Sequence, residues 1–151
     1  MSKMLTLDFE EEIEYSMIGI ASNLKDYRLS FYLNRLPNFQ FKRVESFVFK
    51  KKDQIFDYSL YVFLDNTNLR NFYLIANKSK SVNLIKDYKH FDYVLIMDGE
   101  INDDFLKEVS SQIKQADGII ITSILNDSVF DKVKGLRTAF EIHLDKVLTS
   151  I

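Results

Sequence analysis

The stretch Ile85-Lys86-Asp87-Tyr88-Lys89-His90-Phe91-Asp92-Tyr93 crowds charged and aromatic groups directly ahead of the apolar run Val94-Leu95-Ile96-Met97. Asp92 and Tyr93 there, with Asp26 and Arg28 far upstream, are the residues whose types suit chemistry. A carboxylate takes up a proton or holds a cation, a phenol donates a hydrogen bond, and a guanidinium fixes an anion. A small-molecule site built on these four requires them to converge on a concave pocket, with Asp92 partly desolvated. Asp92 equally suits a local task, accepting backbone N–H groups where a loop meets a sheet, and Tyr93 suits a core position whose hydroxyl finds a partner. Asn77, closing Leu74-Ile75-Ala76-Asn77, suits support of a turn.

Other chemistries lack their parts. His90 and His143 are the only histidines, without His-x-x-His or Glu-x-x-His spacing, and there is no cysteine. A metal site would have to be built from carboxylates. The acidic run DGEINDD at 98–104 lacks the glycine an EF-hand loop needs and reads better as the start of a helix. Neither a phosphate-cradling glycine loop nor a G-x-S-x-G elbow occurs. We therefore expect no metal, no cofactor and no catalytic residue. Lysines form the remaining feature: Lys78, Lys80, Lys86 and Lys89 lie with His90 in one connection, and Lys50, Lys51 and Lys52 in another. They either converge on RNA or an acidic protein, or protect strand edges from pairing. A net charge of −2 weighs against a dedicated nucleic-acid binder.

The elements that must position these residues follow from periodicity. With 151 residues, 46% of them hydrophobic, the chain has the size of one domain spanning 1–151. Residues 13–22 read as a strand. Asn23 can cap a helix running to Leu36, before Pro37. On that helix Leu29, Tyr32, Leu33 and Leu36 form one ridge, while Leu24, Tyr27 and Phe31 form a second across Arg28 and Arg35. Two ridges call for two neighbours, the second being a protein partner or another copy of the chain. Residues 41–49, 56–64 and 70–76 are dominated by β-branched and aromatic residues, alternating with polar ones at 56–64, and are joined by short polar connections, which predicts an antiparallel meander. Residues 91–97 are apolar on both faces and predict a central strand. Asn102 caps a helix with Phe105, Leu106, Val109, Ile113 and Ala116 inward, and residues 118–125 form a further strand. Residues 128–147 fit a helix disturbed at Gly135, with strand-like alternation near its end, and Ser128 with Asp131 resembles a capping box. The order β-α-β-β-β-β-α-β-α predicts an α+β fold: a single, mainly antiparallel sheet of about five to six strands, with helices on a face. The first fifteen residues carry no apolar leader and no window suits a membrane span, so a cytoplasmic location is expected.

The segments GIASNLKDYRLSFYLN (19–34), LIANKS (74–79) and IKDYKHFDY (85–93) resemble, in order, the three best-marked segments of the IPExxxVDY family of small bacterial proteins. The likeness runs from near residue 7 to about residue 125, which makes the remainder a C-terminal extension. Lys86, Asp87 and Phe91 stand where the naming motif has Pro, Glu and Val, while Ile85, Asp92 and Tyr93 keep it. The family has no established activity, so the resemblance implies little of mechanism; the absent catalytic constellations and the two-ridged first helix point to a non-catalytic interaction or accessory protein. An RNA-associated accessory role through the basic connection and a small-molecule-binding role are the alternatives.

Overall fold

A computed structural model describes residues 13–126 and 128–149. The segments expected to be strands become β1 (Ser16–Ser22), β2 (Lys42–Lys51), β3 (Gln54–Asp65), β4 (Arg70–Ala76), β7 (Tyr93–Gly99) and β8 (Ile119–Leu125) of one sheet, in the order β2-β3-β4-β7-β1-β8. Every neighbouring pair is antiparallel. The hairpin-linked run β2-β3-β4 is the expected meander, and β7 is central, between β4 and β1. A short hairpin, β5 (Lys78–Ser79) and β6 (Val82–Asn83), and a 3-10 turn at Lys86–Tyr88 fill the connection from β4 to β7.

Alternation along β7 explains the layering. Tyr93, Leu95 and Met97 enter one core with Ile18, Ile20 and Phe72, while Val94 and Ile96 enter the other with Met17 and Tyr73. Helices α1 (Asp26–Leu33) and α2 (Asp103–Lys114) cover the first core with Leu29, Leu33, Val109 and Ile113. Helices α3 (Ser128–Lys132) and α4 (Leu136–Leu148) cover the second with Phe130, Leu136 and Phe140. Helices thus lie on both faces, not on one as the order alone suggested. A central strand apolar on both sides requires this, since each buried Leu, Ile or Val contributes about 1.5–3 kcal/mol only if something covers it. The segment beyond residue 126 supplies that second cover.

The ends of the first helix and the capping box of the tail are corrected, while the helical tail disturbed at Gly135 is as expected. Helix α1 starts at Asp26 behind Lys25, which gives no side-chain cap, and ends at Leu33. Ser22 Oγ takes the Leu24 N–H before the helix begins, and Asn34 is drawn off the helix by exchanging two hydrogen bonds with the Phe41 backbone. The tail is two helices broken at Gly135, whose φ of +78° suits glycine. Asp131 there binds Arg137 in place of a capping interaction with Ser128, whose N–H goes to Asn126 Oδ1. The expected start of the family likeness near residue 7 and the expectation drawn from the first fifteen residues fall wholly or mainly outside the described residues.

Candidate functional site

The motif connection is organised by one amide. Asn77 is fully buried; its Nδ2 donates to the carbonyls of Tyr88 (2.9 Å), Phe91 (3.2 Å) and Ile85 (3.4 Å), and its Oδ1 accepts the Ile85 N–H (2.8 Å). Satisfying four backbone groups from one side chain fixes the path of residues 84–91 without regular structure. Asp92 does the adjoining work. Its Oδ2 accepts the Ser22 N–H (2.8 Å), its Oδ1 meets Lys78 Nζ (3.2 Å), and its backbone joins Ile20 and Asn77. Phe91 lies flat against Gly19, where a Cβ would sit 2.6 Å from its ring, so β1 must carry glycine there.

Tyr93 is buried and donates to the Leu24 carbonyl (2.6 Å); burial, with Asp26 and Asp92 nearby, pushes its phenol well above the usual range. Asp26 accepts from Tyr61 (2.9 Å) and pairs with Arg43 (3.2 Å), while Arg28 is exposed and donates to Tyr32 (3.2 Å). The structure therefore brings Asp26, Asp92 and Tyr93 into one neighbourhood but leaves Arg28 outside it. The carboxylates there are already engaged by the protein, and none of these four residues lines the clefts described below.

The second ridge of α1 divides. Leu24 turns inward against the core and Gly118, whereas Tyr27 and Phe31 are exposed at 58% and 59%. Arg35 stacks over Phe31 and Arg28 over Tyr32, each guanidinium 5.9 Å from the ring centre. The ridge departs from the wheel because the chain at Leu24 has not yet entered the helix.

The lysines also divide. Lys78 pairs with Asp92, and Lys80 and Lys89 are exposed. Lys86 instead joins Lys50, Lys51 and Lys52 in lining a cleft of about 820 Å³ that Lys134 completes from the α3–α4 corner. A second cleft, of about 750 Å³, is acidic: Tyr15 donates to Glu141 (2.9 Å) and Tyr73 to Asp98 (3.1 Å), and burial pushes both phenols up.

The two sheet edges differ in kind. β2 carries Lys42, Arg43, Glu45, Lys50 and Lys51, and its register breaks between Val44 and Phe47. Helix α4 closes over it: His143 Nε2 donates to the Glu45 carbonyl (2.8 Å) and Lys146 pairs with the Glu45 carboxylate (2.8 Å). β8, reading IIITSIL, has no charge, and only β1 flanks it among the described residues. Ile120, Ile121 and Ile124 are exposed at 55%, 51% and 44%. Sequence reasoning missed these isoleucines. The uncharged run was visible, but its place at an edge depends on β1 inserting between β7 and β8, which no local pattern reveals. No family model matches the chain, and neither does any curated protein.

Proposed function

We propose that the chain is a non-catalytic interaction module whose contact surface is the β8 edge and whose partner is a second copy of itself. The observation that supports this is the contrast between an edge blunted by charge and a covering helix and an edge left apolar and open. Natural sheets suppress such edges unless they are used. The segment is self-complementary. Paired antiparallel about Thr122, two copies set Ile120 opposite Ile124 and Ile121 opposite Ser123, with no like charges facing across the two-fold axis. The carboxylates of Asp26 and Asp92 are committed to holding the chain, which fits a scaffold better than a reaction centre.

Sedimentation of the full chain and of Ile124→Lys tests it. The expected result is a wild-type dimer and a variant that sediments as a monomer while keeping its fold. A wild-type chain that stays monomeric at the highest attainable concentration, or a variant that dimerises equally well, overturns it.

A further inference from the structure

We propose that the cleft at the far end of β2 binds a small organic phosphate: a phosphomonoester carried on an apolar or aromatic body. This reading is independent of the dimer, resting on other residues at the opposite edge.

Four elements build the cleft. The β2–β3 hairpin brings Phe49, Lys50, Lys51, Lys52, Gln54 and Phe56; the β5–β6 hairpin brings Ser81, Val82 and Asn83; the 3-10 turn brings Lys86; the α3–α4 corner brings Val133 and Lys134. Its volume of about 820 Å³ lies within the range of small-molecule sites. Both hairpins close through tight two-residue turns held at positive φ, Lys52 and Asp53 in one, Lys80 and Ser81 in the other. The hairpin tips are therefore tight.

The lining has two halves. Phe49, Phe56, Val82 and Val133 offer an apolar surface, and five lysines stand around it without one Asp or Glu in the lining. Elsewhere Arg43, Lys78, Arg137 and Lys146 each have a carboxylate partner; among the described residues none of the five lysines does. Lys51 and Lys86 lie close enough to repel each other, which raises the free energy of the empty cleft and lowers that of a cleft holding an anion. Lys51 registers the crowding, since burial, and then the nearby Lys86, lowers its pKa from the ordinary lysine value. Asn83 also lines the cleft, but its side-chain oxygen is shut off from solvent and so faces the interior, not a ligand.

The two halves together select the ligand class. A bare anion leaves the apolar surface unused, and an uncharged ring leaves the lysines unpaired. A nucleic-acid strand calls for a basic track along a surface, whereas these lysines ring a concavity.

The test titrates the full-length chain with AMP and with octyl phosphate, followed by amide NMR shifts, with adenosine and inorganic phosphate as controls. At least one phosphomonoester should saturate, moving resonances in 49–56, 81–86 and 133–134, and binding more tightly than either control. Lys51→Gln and Lys86→Gln should each weaken it about tenfold, the scale of one charge-assisted hydrogen bond. Ile124→Lys should leave it unchanged. The proposal is overturned if neither phosphomonoester saturates, if inorganic phosphate binds as tightly, or if the lysine variants bind like wild type. Binding of a single-stranded RNA through the same lysines without saturable binding of either small probe also overturns it, in favour of a nucleic-acid surface.

Discussion

The two edges of one sheet meet the same physical problem, a row of backbone groups with no neighbouring strand among the described residues, and resolve it oppositely. β2 carries charges at both ends and at Glu45, breaks its register, and gives a carbonyl to His143 of α4. β8 presents three exposed isoleucines and no charge. Edge chemistry is thus separable from sheet chemistry: both strands feed the cores inward, yet only β2 carries charge against pairing.

The largest effect should come from removing what covers the β2 half of the sheet. Phe140 is fully buried against the rings of Tyr15, Phe47, Tyr73 and Phe130. Phe140→Ala should cost about 3–5 kcal/mol in urea unfolding. A loss under about 1 kcal/mol would mean that α4 is not what secures that side.

Next is Asn77→Ala, which leaves buried carbonyls and an N–H unsatisfied and should cost about 1–3 kcal/mol. Because Asn77 sets the path that delivers Lys86 to the cleft, phosphomonoester affinity should fall as well while sedimentation stays unchanged. Altered sedimentation would show that the edges are coupled through the sheet.

A smaller stability change, with a large change in assembly, is expected from giving β2 the character of β8. Lys42→Ile with Glu45→Ile removes two charges from that edge. Stability should move by about 1 kcal/mol or less, but light scattering should reveal open-ended chains, since two adhesive edges no longer close on themselves. A variant that stays a closed dimer would show that α4 alone guards β2.

The smallest effect is in pH. The folded pKa of Lys51 lies below its unfolded value because burial, and then Lys86, disfavour the ammonium form. Below the folded pKa both states hold the proton and the folded chain carries the whole cost of the buried charge. Raising the pH through the folded pKa towards the ordinary lysine value of 10.5 relieves that cost, so this group adds stability as pH rises. Lys51→Met should exceed wild type in stability near neutrality, with the gap closing across that window. A gap constant with pH would mean that Lys51 is not desolvated.

Legibility followed the range of the interactions. Strand β7 was readable because five consecutive apolar residues leave no face for water, and all five are buried. The cap at Asn102 was readable because its signal is three residues long, and its side chain does accept the Phe105 N–H. Asp92 and Asn77 were recognisable as residues of a turn, but which groups they would hold was not, since their partners come from β1 and from residues eight to fourteen positions away. Tyr27 and Phe31 read correctly as an outward ridge, whereas Leu24 did not, because wheel geometry fails before a helix has begun. The meeting of Lys86 with Lys50–Lys52 was hidden by a hairpin too short to show a period.

The position of β1 has a consequence in time. Residue 16 pairs with residue 97 and residue 17 with residue 125, so the first strand waits through the whole meander for its first neighbour and longer still for its second. The β2-β3-β4 meander needs only adjacent sequence and closes through a two-residue turn and a short loop. On a ribosome the meander completes while the apolar segment Met17–Ala21 is still unpaired, and it stays so until β7 emerges. Refolding should therefore show a fast phase from the meander and a slower one in which β1 slots between β7 and β8, and that interval is when the chain is most exposed to aggregation or chaperone capture.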